Sequence, residues 1–335
     1  MLTIRLRTPG LFKGIARGCL VFLFTLLILS GAWAQDKINI GIISQIDNRP
    51  QIDSIDGIKK GLADKGYTQD KVEYTTFNCK GNAGLVKDAV ADMRKANVKL
   101  IFAIGTSITI ETLKYVRDIP VVYACVSYAQ SIYEANKKFG FADNYTGALL
   151  NAPADILIVL ALKIKVDLGS IGIVYRISED NSLRDKDNYE KSCAKFGIET
   201  IIMPYDREDQ VVATYQKLAD QGVKCLLYTK DGMMIKHAEE IKPIIYKYQI
   251  MGLASDAAPV QNGLAVLAFT APAYKVGQLA GEKAYDILAN GKKPAELSEE
   301  GLKNLELWLN ISSATKAKVN LPVGIMKLAT KVIKN

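Results

Sequence analysis

Few side chains in this sequence are equipped to break a covalent bond. One histidine exists, His237, set among Lys and Glu on an expected helix, where a solvated helix-face role is the simpler one. No G-x-S-x-G elbow, H-E-x-x-H pair, phosphate-binding loop or G-x-G-x-x-G after a strand occurs. No Asp/Glu/His cluster has metal-ligand spacing, so neither a metal nor another cofactor is expected. Beyond residue 34 the cysteines are Cys79, Cys125, Cys193 and Cys225, none in C-x-x-C spacing, which removes zinc and thioredoxin-type chemistry. Cys125 and Cys225 lie in strand-like apolar runs and read as buried thiols, although sequence leaves any disulfide pairing open.

What the sequence does supply is polar groups in turns, the chemistry of holding a molecule rather than changing it. After the first strand-like run come Gln45, Asp47, Asn48, Arg49 and Pro50. After the third come Thr106 and Ser107, where two hydroxyls converge with the free N–H groups of a helix start. Ser127, Tyr128 and Gln130 follow the fourth. In the second half the turns hold Arg176, Ser178, Glu179, Asn181 and Ser182, then Tyr205 and Asp206, Lys230 and Asp231, and Ser255 and Asp256. In open parallel sheets ligands bind outside the carboxyl ends of the strands, and helix N-termini there suit a carboxylate. Each of these residues has a plainer alternative, since Ser, Thr, Asn and Asp before helices usually serve as N-caps. Tyr128 is the tyrosine best placed to stack on a ligand. Asp231 and Asp256 could neutralise an ammonium group.

The elements that must position these turns alternate regularly. Strands are expected at 37–44, 72–77, 100–104 and 121–126, with helices at 50–65, 83–96 and 108–116 between them. A second run starts at Pro153, with helices at 153–165, 182–196, 209–221 and 234–248 and strands at 170–175, 198–203, 223–228, 250–254 and 263–269. The join, 139–152, is Gly/Asn-rich with weak periodicity. Right-handed βαβ units and parallel sheets follow. Residues 272–290 form one long amphipathic helix stopped by Gly291, and 305–309 a late strand. Such late elements can return to different lobes, making several crossings and hence a hinge. The expected fold class is α/β, two Rossmann-like lobes with parallel sheets joined by a multi-strand hinge. Lobe 1 spans 36–147 plus about 272–295, and lobe 2 spans 148–271 plus about 296–335.

The 335 residues are 49% hydrophobic and 23% charged, an ordinary globular composition. The net charge is +8, but residues 1–34 carry Arg5, Arg7, Lys13 and Arg17 and no acid. The remaining excess is too mild to suggest nucleic acid. The basic start, the apolar run Cys19–Leu29 and the small-x-small pair Ala32-x-Ala34 make residues 1–34 a secretory signal peptide, cleaved near Ala34–Gln35. The run is short of the ~20 residues that span a bilayer, and Cys19 precedes the apolar core rather than following it, which argues against lipidation there. A soluble, exported, periplasmic monomer is expected.

The chain resembles the exported substrate-binding proteins of the ABC-type transporter group that includes tryptophan- and tyrosine-uptake binding proteins. The stretches carrying the likeness are 38–62 (INIGIISQIDNRPQIDSIDGIKKGL), 99–127 (KLIFAIGTSITIETLKYVRDIPVVYACVS), 170–182 (SIGIVYRISEDNS), 225–232 (CLLYTKDG), 252–269, 276–297 and 305–310 (LELWLN). They are collinear and cover nearly all of the expected mature chain. The resemblance implies the type I periplasmic-binding fold and ligand contacts at Asn48, Arg49, Pro50, Thr106, Ser107, Ser127, Tyr128, Ser178, Asn181, Ser182, Asp231 and Asp256. It also implies an ABC permease in the inner membrane as partner, and no catalysis. This chain departs from the family where specificity would be set. Arg49-Pro50 stands where many members carry His-Pro, Tyr128-Ala129 where many carry Asp-Pro, and Gly232 where Asn is common. An Arg in the first loop suggests a carboxylate-bearing ligand, probed by Arg49→Ala, because a guanidinium pairs bidentately with a carboxylate.

The implied action is a two-state clamp in which each lobe offers half of the polar groups and a ligand touching both stabilises the closed form. The captured molecule would be an amino acid or related carboxylate, delivered to the permease. The alternatives are a ligand sensor for a membrane-bound kinase or chemoreceptor, and an exported α/β enzyme. A sugar-operon regulator would need DNA-binding helices and no export signal.

Overall fold

A computed structural model of the chain describes residues 37–165 and 167–334. The expected signal peptide lies outside the described residues. The alternating pattern resolves into two sheets. The first contains β1 (Ile38–Ser44), β2 (Val72–Asn78), β3 (Leu100–Ile104), β4 (Val121–Val126), β5 (Tyr145–Leu149) and β11 (Glu300–Gly301), in the order β11-β5-β4-β3-β1-β2, with every pair parallel. Its helices are α1 (Arg49–Asp64), α2 (Val86–Lys95), α3 (Thr106–Tyr115) and α4 (Ala129–Phe139).

The second sheet contains β6 (Ile171–Arg176), β7 (Thr200–Tyr205), β8 (Cys225–Tyr228), β9 (Met251–Ala254), β10 (Leu267–Thr270), β12 (Glu306–Asn310) and β13 (Lys331–Ile333), in the order β13-β12-β10-β9-β8-β6-β7. Around it lie α5 (Ala154–Ile164), α6 (Asp180–Lys195), α7 (Val211–Asp220), α8 (Gly232–Lys236), α9 (Ala238–Lys247) and α10 (Ala258–Gln261). Both sheets are covered on both faces, as parallel sheets must be. Ile40, Phe102 and Leu62 pack on one face of the first sheet, and Ile43, Ile101 and Tyr123 on the other. Val174, Leu226 and Ala268 face one side of the second sheet, and Ile173, Leu227 and Leu253 the other.

After β10 the chain returns to the first sheet as α11 (Ala273–Asn290), which lies against α1. The two helices touch backbone to backbone. A Cβ on Gly57 would fall 2.0 Å from the Tyr274 carbonyl oxygen, and one on Gly277 would fall 2.0 Å from the Ser54 carbonyl oxygen. Gly291 takes a left-handed φ of 65° and ends α11 as the sequence suggests.

The chain therefore passes between the sheets after β5, after β10 and after β11. Three features differ from the sequence-based expectation. The tail beyond 296 divides between the sheets, because Glu300–Gly301 pairs with Ala148–Leu149 before β12 returns to the second sheet. A two-residue backbone pairing has no hydrophobic signature to reveal it. The second sheet is also not wholly parallel, since β12 re-enters without a crossover helix and runs antiparallel to β10. Residues 139–152, expected as an irregular join, contain β5, and α4 precedes it. Gly147 and Ala148 at the centre of β5 carry little strand signal.

All four described cysteines are buried free thiols, and burial pushes Cys125, Cys193 and Cys225 up to about 12. None is therefore a ready nucleophile. Among the described residues no helix is long and apolar enough to cross a membrane.

Candidate binding cleft

In each sheet the chain order reverses at one place: β1 sits between β2 and β3, and β6 sits between β7 and β8. The carboxyl ends of β1 and β3, and of β6 and β8, thus border crevices of the kind open sheets use for binding. The turns there are shaped by local chemistry. Asn48 caps α1 by accepting from the Gln51 N–H at 3.0 Å, and Pro50 fits the first turn, where no intrahelical N–H bond is needed. The Gln51 side chain folds back to accept from the Gln45 and Ile46 N–H groups at 3.0 and 3.3 Å. Gly105 enters α3 at a φ of 103°, a conformation that L side chains rarely adopt.

One part of the cleft is filled by the protein itself. Along the start of α4, Tyr128, Ser131 and Glu134 recur every three residues and so share a face. They meet the start of α6. The Tyr128 hydroxyl donates to the Asp185 carboxylate, Ser131 Oγ donates to Asp180 Oδ2 at 2.6 Å, and Arg184 Nη2 donates to Glu134 Oε2 at 2.7 Å. Thr106 Oγ1 donates to Asn181 Oδ1 at 3.3 Å alongside them. These bonds join the two lobes directly.

Behind this clasp lies a buried charge pair. Lys230 Nζ donates to Asp185 Oδ1 at 3.1 Å and to Ser255 Oγ at 2.9 Å, while the Lys230 backbone N–H donates to Asp185 Oδ2 at 2.6 Å. The Lys230 side chain is 9% exposed and that of Asp185 0%. Tyr189 supports the pair, its hydroxyl lying 2.8 Å from Ser255 Oγ and donating to the Tyr228 carbonyl at 3.1 Å. Burial is the largest influence and disfavours the Lys230 charge, but Asp185, Tyr128 and Asp256 together outweigh it and raise the ammonium's pKa. Burial also pushes the Tyr128 phenol up to about 12, so it stays a donor.

Next to the pair opens a cavity of about 270 Å³. Its wall includes Arg49, Pro50 and Asp53 from the start of α1, Lys230, Ser255 and Asp256 from the ends of β8 and β9, and Trp308 from β12. Two of the three crossings between sheets contribute as well, through Leu150 and through Thr270 to Tyr274. Asp256 accepts from the Ala258 N–H at 2.7 Å through one carboxylate oxygen. Burial raises its pKa, opposed by that N–H and by Lys230. Arg49 sits at the rim, its side chain 71% exposed and paired with Asp53 at 2.9 Å.

Of the residues singled out in the sequence, Arg49, Pro50 and Asp256 line this cavity, together with the turn residues Lys230 and Ser255. Thr106, Tyr128 and Asn181 meet across the clasp. Ser127 is buried at the end of β4, Ser107 is half-buried in α3, and Ser178 is exposed. Ser182 is bound within its own lobe, accepting from the Arg176 N–H and lying 2.8 Å from Thr229 Oγ1. Asp231 caps α8 through the Met233 N–H and accepts from the Tyr205 hydroxyl, and burial raises its pKa. Asn48 is occupied as a cap. His237 bridges Glu240 and Glu208 on the surface. Asp185 went unnoticed in the sequence because it lies inside a polar helix. Lys230 was visible in a turn, but a turn lysine by itself reads as solvated. Among the described residues no group of three or more His, Cys, Asp or Glu side chains could hold a metal ion.

Comparison with known proteins bears on this arrangement. A family model described as ABC transporter substrate binding protein matches residues 38–333. An uncharacterized protein of Rickettsia prowazekii (strain Madrid E), RP367, is 21% identical over 311 residues, covering 89% of this chain and 91% of the relative. The structure of an ABC domain in complex with L-Trp from Streptococcus pneumonia superposes with a TM-score of 0.78 at 21% identity, over 89% of this chain and all of the other. The ligand-free, open structure of CD0873, a substrate binding protein with adhesive properties from Clostridium difficile, gives 0.72 at 19% identity over the same shares. At these identities the structural likeness establishes the fold.

Proposed function

The chain belongs to the family of ABC transporter substrate-binding proteins, and from that premise we propose that it is a periplasmic receptor that captures an amino acid or related carboxylate and delivers it to an ABC permease. The observation that carries this is the cavity of about 270 Å³ between the carboxyl ends of the two sheets, with both signs of charge on its wall. That volume lies just below the usual range for sites that take drug-sized molecules, which suits a smaller solute. Leu150, Pro272, Tyr274 and Trp308 offer apolar surface for a side chain, and Lys230, Arg49 and Asp256 offer charge for its polar end. The L-Trp-bound neighbour supports an amino acid as the class.

In this reading residues 1–34 direct export and are removed near Ala34–Gln35, and the mature protein acts as a monomer in the periplasm. Capture involves no bond breaking. A solute touching both lobes favours the closed form by the difference between its affinities for the closed and open forms. Calorimetric titration with the twenty standard L-amino acids and a set of small organic acids tests this. Saturable, one-to-one binding with the solute recovered intact is the expected result. Turnover of a bound solute, or binding by none, would refute it.

A further inference from the structure

We propose that Lys230, held in place by Asp185, is the carboxylate anchor of the cavity, and that with Asp256 beside it the site selects a zwitterion over its uncharged or decarboxylated analogues. This deepens the amino-acid reading above and rests on it.

Lys230 differs from Arg49 in the respects that matter for an anchor. Arg49 is mostly exposed and already paired with Asp53, so water competes for its guanidinium. Lys230 is buried, lies on the cavity wall, and is fixed from behind. An ammonium has three N–H donors. Two are used, one to Asp185 Oδ1 and one to Ser255 Oγ, which leaves a third. Asp185 in turn is satisfied by the Lys230 backbone N–H and the Tyr128 hydroxyl as well as by Nζ. It therefore serves as a counter-ion that keeps Lys230 charged where burial alone would favour the neutral amine.

Asp256 supplies the opposite sign. One of its oxygens accepts from the Ala258 N–H, and the other has no donor among the described residues. Asp256 follows Ser255, which Lys230 touches, and each of the two charges influences the other. The carboxylate and ammonium of an α-amino acid are separated by one carbon, so their anchors must be neighbours, as these are. With Asp185 counted behind Lys230, the cations Arg49, Lys230 and Lys331 balance the acids Asp53, Asp185 and Asp256. A balanced wall favours a solute with no net charge and two separated ends.

The test is a thermal-shift and calorimetry panel of the twenty standard L-amino acids, each beside its α-carboxamide, run on the wild-type protein and on Lys230→Met. Lys230→Met/Asp185→Asn is included so that no buried carboxylate is left without its partner. The wild type should respond to at least one acid and bind its amide about thirtyfold more weakly, the scale of a hydrogen bond to a charged group. In both variants the preference for the acid over its amide should vanish. Lys230→Arg should restore part of the preference. An acid-over-amide preference that survives in both folded variants overturns the role of Lys230 while leaving the receptor reading intact. A wild type that answers to none of the forty compounds overturns both.

Discussion

The cleft is built in two ways. On the cavity side, α1 and α11 meet through Gly57, Gly61, Gly277 and Gly281, with carbonyl oxygens where side chains would otherwise stand. On the clasp side, α4 and α6 meet through hydroxyls, carboxylates and a guanidinium that reach from one lobe to the other. The first contact is close-packed and lies within the group of elements around the first sheet, so it has little room to give. The second is polar, partly wet, and made of bonds that can exchange for water at small net cost. The difference assigns the tasks. The glycine-packed wall fixes where Arg49 and Tyr274 stand, and in the proposed clamp the clasp is the surface that parts and re-forms.

Breaking the clasp at its buried centre should have the largest effect. Asp185→Ala strands the Lys230 ammonium and removes the acceptor of Tyr128, and the loss of one member of a buried pair costs about 3–5 kcal/mol. Denaturant melts should show that loss, which Asp185→Ala/Lys230→Met should partly recover. If Asp185→Ala alone melts like the wild type, the pair is not the keystone described.

Damage to the wall should rank next. Gly277→Ala places a methyl group against the Ser54 carbonyl, where backbone must move, at a cost of about 1–3 kcal/mol for overpacking. Unlike the clasp variant, it should leave the solute-free separation of the lobes unchanged in solution scattering. A shift in that separation would mean that wall and clasp are not distinct.

A third effect is chemical. Burial holds the Asp256 pKa above the ordinary 3.8, so its charged form is disfavoured in the folded, solute-free protein. That protein takes up the proton at higher pH than the unfolded chain does. Stability from this group therefore increases as pH falls through the folded pKa. Binding of an ammonium-bearing solute needs the carboxylate, so its affinity should decline as pH falls through that raised pKa, above 3.8. Asp256→Asn should be at least as stable as wild type at neutral pH yet lose both the affinity and its pH dependence, as read by calorimetry across that range. An affinity that is flat with pH in the wild type would remove Asp256 from the contact.

The smallest effect belongs to the clasp's outer pair. Glu134 is 53% exposed where it meets Arg184, so water screens the pair and Glu134→Gln should barely move the denaturation midpoint. A larger loss would show that the clasp holds at its edge rather than at Asp185.

Much of the frame was legible in the sequence because it rests on short-range signals. The Ile-rich β1, the periodic face of α11 and the stop at Gly291 each appear in a window of a few residues. The site was legible only in part. Arg49, Pro50 and Asp256 stand in turns that the βαβ pattern already marks, and they do reach the cavity. Asn48 and Ser182 have the same residue types in the same kind of turn, but they close local backbone instead. Asp185 could not be found in this way. It lies beyond the first turn of α6, on the face that also carries the buried Tyr189 and Cys193, and only the approach of α4 and the end of β8 gives it a partner. β5 is hard to read because Gly147 and Ala148 interrupt its strand pattern, whereas α4 does carry a readable helical face at Ile132 and Ala135.

The central claim is that two lobes part and close on a small solute, and solution scattering of the purified protein addresses it most directly. With the amino acid that gives the strongest thermal stabilisation, the radius of gyration should fall from the solute-free value, and Asp185→Ala should start from a larger one. A radius that stays constant through saturating additions of a solute shown to bind would contradict the clamp.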